Sequence, residues 1–205
     1  MTQESAFEHL ARIRRVDTQI KNIGGKPGPK DYGPYLIDKL YRSEEPNDDI
    51  GDRLVQELAE RDGDITDSER SLALEYFAED YQRAQNTAVR NFEMAQRREP
   101  STEEHREYLG KAWDLTRRAT RDAQLARRLN PDVNVIMPEM DYQIIFDGLQ
   151  NFRDQLYFAT EFPTCYKEMI PLHLQMKKAV GNEDYESAAK LRDEMRAITS
   201  RAQPQ

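Results

Sequence analysis

The chain of 205 residues has a single cysteine, Cys165, so no disulfide can close within it, and its composition suits a reducing compartment. No apolar run approaches the roughly 18 residues a membrane-spanning helix needs. The first residues, Met1 to Ser5, lack the basic-then-apolar order of a secretory signal. A cytoplasmic protein with no membrane contact is the expectation. Histidine is scarce as well. None of His9, His105 and His173 has a Glu three residues before it, and no H-E-x-x-H occurs, so no metal site is expected. Gly24 to Lys30 contains glycine and lysine but not in the G-x-x-x-x-G-K-[ST] order. Its prolines also remove N–H donors that a phosphate cradle uses, so it reads as a connector. Asp62, Asp64, Asp67 and Glu69 lack the frame of a calcium loop and read as capping and solvated acids. Cys165 and His173 stand eight apart with Pro171 between them, too far along a helix for a thiolate–imidazole pair. The expectation is no catalytic residue, no cofactor and no enzyme.

What the chain does contain is helix-forming, charged sequence. Hydrophobic residues make up 38%, charged residues 33%, and the mean hydropathy is −0.92. That is too polar for a sandwich core but suits long helices that bury one stripe each. The expected fold is all-α: an antiparallel long-helix bundle with a C-terminal helical hairpin. Residues 1–65 form a region of short helices. The first runs from about Ser5 to Ile23, with Phe7, Leu10, Ile13, Val16, Ile20 and Ile23 at spacings of three and four. A short helix over Tyr32 to Tyr41, an acidic loop from Glu44 to Asp49, and a helix burying Ile50, Leu54, Val55 and Leu58 follow.

Residues 66–162 form the long-helix bundle. Thr66-x-x-Glu69 and Ser101-x-x-Glu104 read as capping boxes that open two helices joined by a very short loop. The first stripe is Phe77, Tyr81, Ala84, Ala88, Phe92 and Ala95. The second is Tyr108, Ala112, Leu115, Ala119, Ala123, Ala126 and Leu129. The alanines let the helix axes approach, and the ends of both helices resemble one another. A tetratricopeptide array is a poor fit, because each helix is about twice too long. An extended link over Val133 to Met137 leads to a helix from Pro138 or Glu139. Its stripe is Tyr142, Ile145, Leu149, Phe152, Leu156 and Ala159, widened by Ile144, Phe146, Tyr157 and Phe158 into a central core helix.

Net charge is −8, which does not suggest a nucleic-acid binder. Residues 81–129 nonetheless hold 11 Lys and Arg against 7 Asp and Glu, a local excess of +4. Arg117, Arg118, Arg121, Arg127 and Arg128 lie beside Trp113 on one helix. They are the candidate nucleic-acid contacts in an alternative reading of the chain as a nucleic-acid-associated helical protein. A solvated face with intrahelical ion pairs is the simpler reading. Trp113 reads as packing, or as an exposed anchor for a partner.

Residues 163–205 form two helical arms. Leu172, Leu174, Met176, Ala179 and Val180 mark the first arm, which restarts at Pro171 and is broken by Gly181-Asn182. Asp184 is a good N-cap for the second, which carries Tyr185, Ala188, Ala189, Leu191, Met195 and Ile198. Tyr185-Glu186, Ala188-Ala189, Leu191 and Arg192-Asp193, preceded by Met176 and Ala179, resemble the UVR motif position by position, with Tyr185 for the commoner Phe. That motif occurs in the excision-repair proteins UvrB and UvrC, in Clp-type unfoldases, and in their adaptor and kinase-activator partners. The resemblance covers about 30 residues and implies protein–protein contact, often with another such hairpin or with a second copy, rather than catalysis. It implies that Met176, Tyr185, Glu186, Ala188, Ala189, Leu191, Arg192, Asp193 and Met195 contact a protein partner. The expected function is a bacterial cytoplasmic adaptor or scaffold in a proteolysis, stress or DNA-repair setting.

Overall fold

The computed structural model describes residues 5–12, 48–61, 64–130, 135–137 and 140–202. The expected stretch from Ile13 to Ile23, the connector at Gly24 to Lys30 and the short helix at Tyr32 to Tyr41 lie outside them, as do Asp62 and Gly63. The fold is all-α. Seven helices are described: α1 (residues 6–12), α2 (Asp48–Glu60), α3 (Asp67–Gln96), α4 (Glu103–Leu129), α5 (Tyr142–Glu161), α6 (Tyr166–Gly181) and α7 (Tyr185–Ala202). One small antiparallel ladder, β1 (Val135–Met137) with β2 (Met140–Asp141), stands between α4 and α5.

The described chain divides into two compact units, and α3 and α4 contribute to both. One unit holds the residues up to Ala84 together with Arg121–Tyr142. Its apolar centre includes Phe7, Leu10, Ile50, Leu54, Phe77 and Tyr81. The start of α1 docks on α2, where Ala6 N–H donates to Glu57 at 2.7 Å. Gly51 allows α2 to come close to α3: a Cβ there would stand 2.9 Å from the Tyr76 hydroxyl. Thr66 and Glu69 form the expected capping box, with Thr66 N–H donating to Glu69 at 2.8 Å and Glu69 N–H to Thr66 Oγ1 at 3.3 Å. Arg61 adds a two-pronged bond to the same carboxylate, at 2.8 and 3.1 Å. Arg61 first, then Thr66, holds the Glu69 carboxyl down at about 2.

The other unit holds Gln85–Thr120 and Gln143–Gln205. Its core joins Ala88, Phe92 and Ala95 of α3 with Leu109 and Ala112 of α4. From α5 come Phe152, Leu156, Phe158 and Ala159; Met169 of α6 and Met195 and Ile198 of α7 complete it. Alanines on α3 and α4 leave room for rings: Phe92 meets Phe152 edge-on with centroids 5.5 Å apart. The two long helices run antiparallel. Arg70 near the start of α3 donates to the Leu129 carbonyl at 3.0 Å, and His105 near the start of α4 donates to the Ala95 carbonyl at 2.9 Å.

Four expectations are corrected. Asp48 and Asp49, read as loop, already belong to α2, and carboxylates suit a first helical turn. The second capping box does not form at Ser101. Ser101 takes a left-handed φ of 70°, which displaces the helix start by one residue. Thr102 is the cap instead, its Oγ1 accepting from His105 N–H at 3.2 Å. Met140 and Asp141 form β2, so α5 begins at Tyr142 rather than at Pro138 or Glu139. The α5 stripe is buried from Tyr142 to Ala159 as expected, but its widening fails at two positions: Ile144 and Tyr157 are exposed.

Candidate protein-interaction hairpin

The hairpin of α6 and α7 is built around a three-residue turn, Asn182 to Asp184, whose three backbone N–H groups all donate to carbonyls of α6. Pro163 falls just beyond α5, and the chain turns through Thr164 into α6, which begins at Tyr166. Pro171 lies inside α6 without ending it. Its missing N–H leaves the Lys167 carbonyl without its helical donor. At the far end, Asp184 N–H donates to the Ala179 carbonyl at 2.9 Å and Glu183 N–H to the Val180 carbonyl at 3.0 Å. These are the two bonds of a Schellman C-cap. The left-handed residue such a cap requires is Glu183, with φ 59°, and not Gly181 or Asn182. Asp184 then caps α7 as expected, its carboxylate accepting from Ser187 N–H at 3.1 Å. The Ser187 side chain first, then its N–H, holds the Asp184 carboxyl below its ordinary range.

The arms pack on each other along their length, but the surroundings change from base to tip. At the base, Tyr166, Met169, Met195 and Ile198 are buried in the core of their unit. Cys165 joins them, its S–H 3.7 Å from the Met169 sulfur, and burial pushes its thiol up. Phe158 meets the His173 ring edge-on with centroids 4.9 Å apart. His173 and Lys177 both reach Asp154 of α5, at 3.2 and 2.9 Å. Burial would raise the Asp154 carboxyl, but hydrogen bonds from Lys177 and His173 outweigh it and keep the group below its ordinary range. At the tip, apolar side chains face solvent: Tyr185 is 67% exposed and Val180 49%, and Leu174, midway along α6, is also exposed.

The residues expected to contact a protein therefore fall into different surroundings. Tyr185 stands at the open tip. Glu186 is exposed and pairs with Lys190 at 2.8 Å, on the wet side. Arg192 and Asp193 are exposed and contact each other at 3.2 Å. Met176, Ala189 and Leu191 are half-buried, and Ala188 is buried between the arms. Met195 is enclosed by its own unit. Val180 and Leu174 fit the apolar pattern of the first arm, and spacing alone does not mark them as exposed.

The arginines of α4 differ in unit and in burial. Arg117 and Arg118 belong to one unit and Arg121, Arg127 and Arg128 to the other. Arg117, Arg127 and Arg128 are exposed, whereas Arg118 is only 8% exposed. Arg121 is bound to Asp52 at 2.7 Å and Asp122 at 3.1 Å. Trp113 is half-buried, its indole N–H 3.2 Å from Thr160 Oγ1. Among the described residues, no cluster of His, Cys, Asp or Glu is arranged to hold a metal ion, and no helix is long and apolar enough to cross a membrane.

No curated protein and no solved structure matches the chain. One family model does: over residues 167–200, a stretch that lies within the two arms, the hairpin matches the UvrB/uvrC motif.

Proposed function

We propose that the protein is a non-enzymatic cytoplasmic adaptor or scaffold that binds another protein through the tip of its UvrB/uvrC-motif hairpin. The observation that carries this reading is the exposure of Val180 and Tyr185 at the free end of a hairpin whose base is already packed, with Leu174 exposed further back along the same arm. An apolar edge of this kind is completed by a partner's helices, with the aromatic ring as the anchor. A second UVR-type hairpin, from another protein or another copy, is the partner whose shape suits it. The motif fits a proteolysis, stress or DNA-repair setting.

The test is affinity capture from native cells with the full chain and with a Val180→Asp/Tyr185→Asp double variant. Both sites are exposed, so far-UV circular dichroism and the melting curve stay unchanged. The expected result is loss of the captured partners. Capture of the same set by the folded variant would refute the tip as the binding surface. Sedimentation of the two proteins tells a self-pairing hairpin from one that pairs with another protein.

A further inference from the structure

We infer that a cavity beside α4 receives the hairpin tip of a second copy of this chain. The inference rests on the reading of the tip as a binding surface, and it names what the tip enters. The cavity measures about 430 Å³, within the range that encloses a small ligand, which leaves room for an aromatic ring and an aliphatic neighbour. Every residue lining it belongs to the same unit as the hairpin. Leu109 and Ala159 are buried and form its floor, and Trp113 and Pro163, both half-buried, stand beside them. Gly110 and Arg106 line it too and are exposed, so the cavity is open to solvent on their side.

Val180 and Tyr185, exposed on either side of the turn, supply the matching apolar knob. They cannot fill the cavity of their own chain. Pro163 precedes the start of α6 and the turn follows its end, and the 16 residues of that helix keep the two roughly 24 Å apart. The base of the hairpin is packed in the core, so the hairpin does not fold back. A knob and a pocket that lie apart on one molecule meet in a head-to-tail contact between copies. Charge favours the same pairing. The whole chain carries −8, so two copies repel unless a local pair of opposite charges meets. Such a pair is at hand. Arg106 has no ion-pair partner among the described residues: Glu104 pairs with Arg98 at 3.0 Å, Glu107 pairs with Lys111 at 2.7 Å, and Glu103 does not line the cavity. On the tip, Glu183 is exposed, its carboxylate equally without a partner among the described residues, two positions from Tyr185. The Tyr185 ring in the apolar cavity, with Glu183 against Arg106 at the rim, gives an aromatic anchor ringed by complementary charge.

The test is sedimentation of the full-length protein over a range of concentrations, with Trp113, the only tryptophan in the chain, as a fluorescent reporter inside the cavity. Gly110→Leu plugs the cavity, since an added Cβ there meets nothing within 4 Å, and it replaces a helical glycine by a better helix former. Val180→Asp/Tyr185→Asp spoils the tip. Far-UV circular dichroism checks that each variant is folded. The wild type should self-associate with a shift in Trp113 emission, and each variant alone should do so about thirtyfold more weakly. An equal mixture of the two variants should associate again, because one keeps the tip and the other keeps the cavity. Arg106→Glu should weaken association about tenfold, and Glu183→Arg in the same chain should restore it. A wild type that stays monomeric up to about 1 mM would overturn the self-contact and leave the tip to be judged by affinity capture. Loss in the tip variant with undiminished association of Gly110→Leu would show the tips pairing with something other than the cavity and overturn its role. A mixture that fails to associate would do the same, and failure of the charge exchange would overturn the contact between Arg106 and Glu183.

Discussion

Replacing Glu183 by glycine should make the protein more stable. Glu183 sits at φ 59° in the turn between α6 and α7, the left-handed position of the Schellman cap. A side chain there crowds the following carbonyl, at a cost of roughly 1–2 kcal/mol. Glycine removes the crowding but is freer in the unfolded chain, which returns about 0.5–1 kcal/mol. The net gain is roughly 0.5–1 kcal/mol, or about 1–4 °C in melting temperature for a chain of this size. Charge does not confuse the outcome greatly. The Glu183 carboxylate lies between the C-terminus of α6, which disfavours it, and the N-terminus of α7, which favours it. Glu183→Ala isolates any remainder, because it removes the charge and keeps the Cβ. The assay is urea and thermal unfolding followed by far-UV circular dichroism on the wild type and both variants. Amide exchange at Glu183 and Asp184, the two donors of the cap, should slow in the glycine variant. A glycine variant that melts at or below the wild type would refute the reasoning. So would an alanine variant that gains as much as glycine.

Two further predictions concern the long helices. Thr102→Ala should cost about 1 kcal/mol, the usual loss of an N-cap, whereas Ser101→Ala should change stability by less than about 0.5 kcal/mol; chemical denaturation of the two variants side by side checks which hydroxyl caps α4. Asp122 is fully buried, and burial, then its hydrogen bond to Asp80, pushes its carboxyl up to about 8 against the opposing pull of Arg121. A folded-state value above the unfolded one means that the native protein holds the proton more tightly. The resulting stability is complete below the unfolded value near 3.8 and is lost as pH rises through about 8. Melting temperature should therefore fall between about pH 4 and pH 8 and level off above that. Asp122→Asn, whose amide can donate to Asp80 and accept from Arg121, should flatten that fall. A variant that loses as much as the wild type would refute a shared proton.

The apolar pattern was the legible part of the sequence. Tyr142, Ile145, Leu149, Phe152, Leu156 and Ala159 recur at helical spacing and are all buried. Thr66 with Glu69, and Asp184 before Ser187, cap their helices as their residue types suggest. The misses have physical causes. Asp80, Thr116, Arg118 and Asp122 are buried although polar, and a search for apolar periodicity passes over them. Ser101 and Thr102 are both good caps, and only the backbone turn before α4 decides between them. Glycine is the residue type that suits a left-handed position best, but the register of the Schellman bonds puts Glu183 there rather than Gly181. Ile144 and Tyr157 look like core residues by type, but a helix that packs on one side leaves the others wet.

The same limit bears on the hairpin. Tyr185, Ala188, Met195 and Ile198 share a stripe on α7, and spacing alone gives them one role. In the structure the stripe passes from open to closed: Tyr185 is 67% exposed, and Met195 and Ile198 belong to the core. A substitution at Met195 therefore disturbs folding first; truncating a buried methionine to alanine costs about 2–5 kcal/mol. Removing residues 163–205 would be worse, since it takes Cys165, Tyr166, Met169, Met195 and Ile198 out of one core. Loss of a partner after such a deletion would show only that the unit no longer folds. The tip separates the two roles. Val180 and Tyr185 contribute little to the core, so a charge placed on them changes what the hairpin can hold and leaves the hairpin standing.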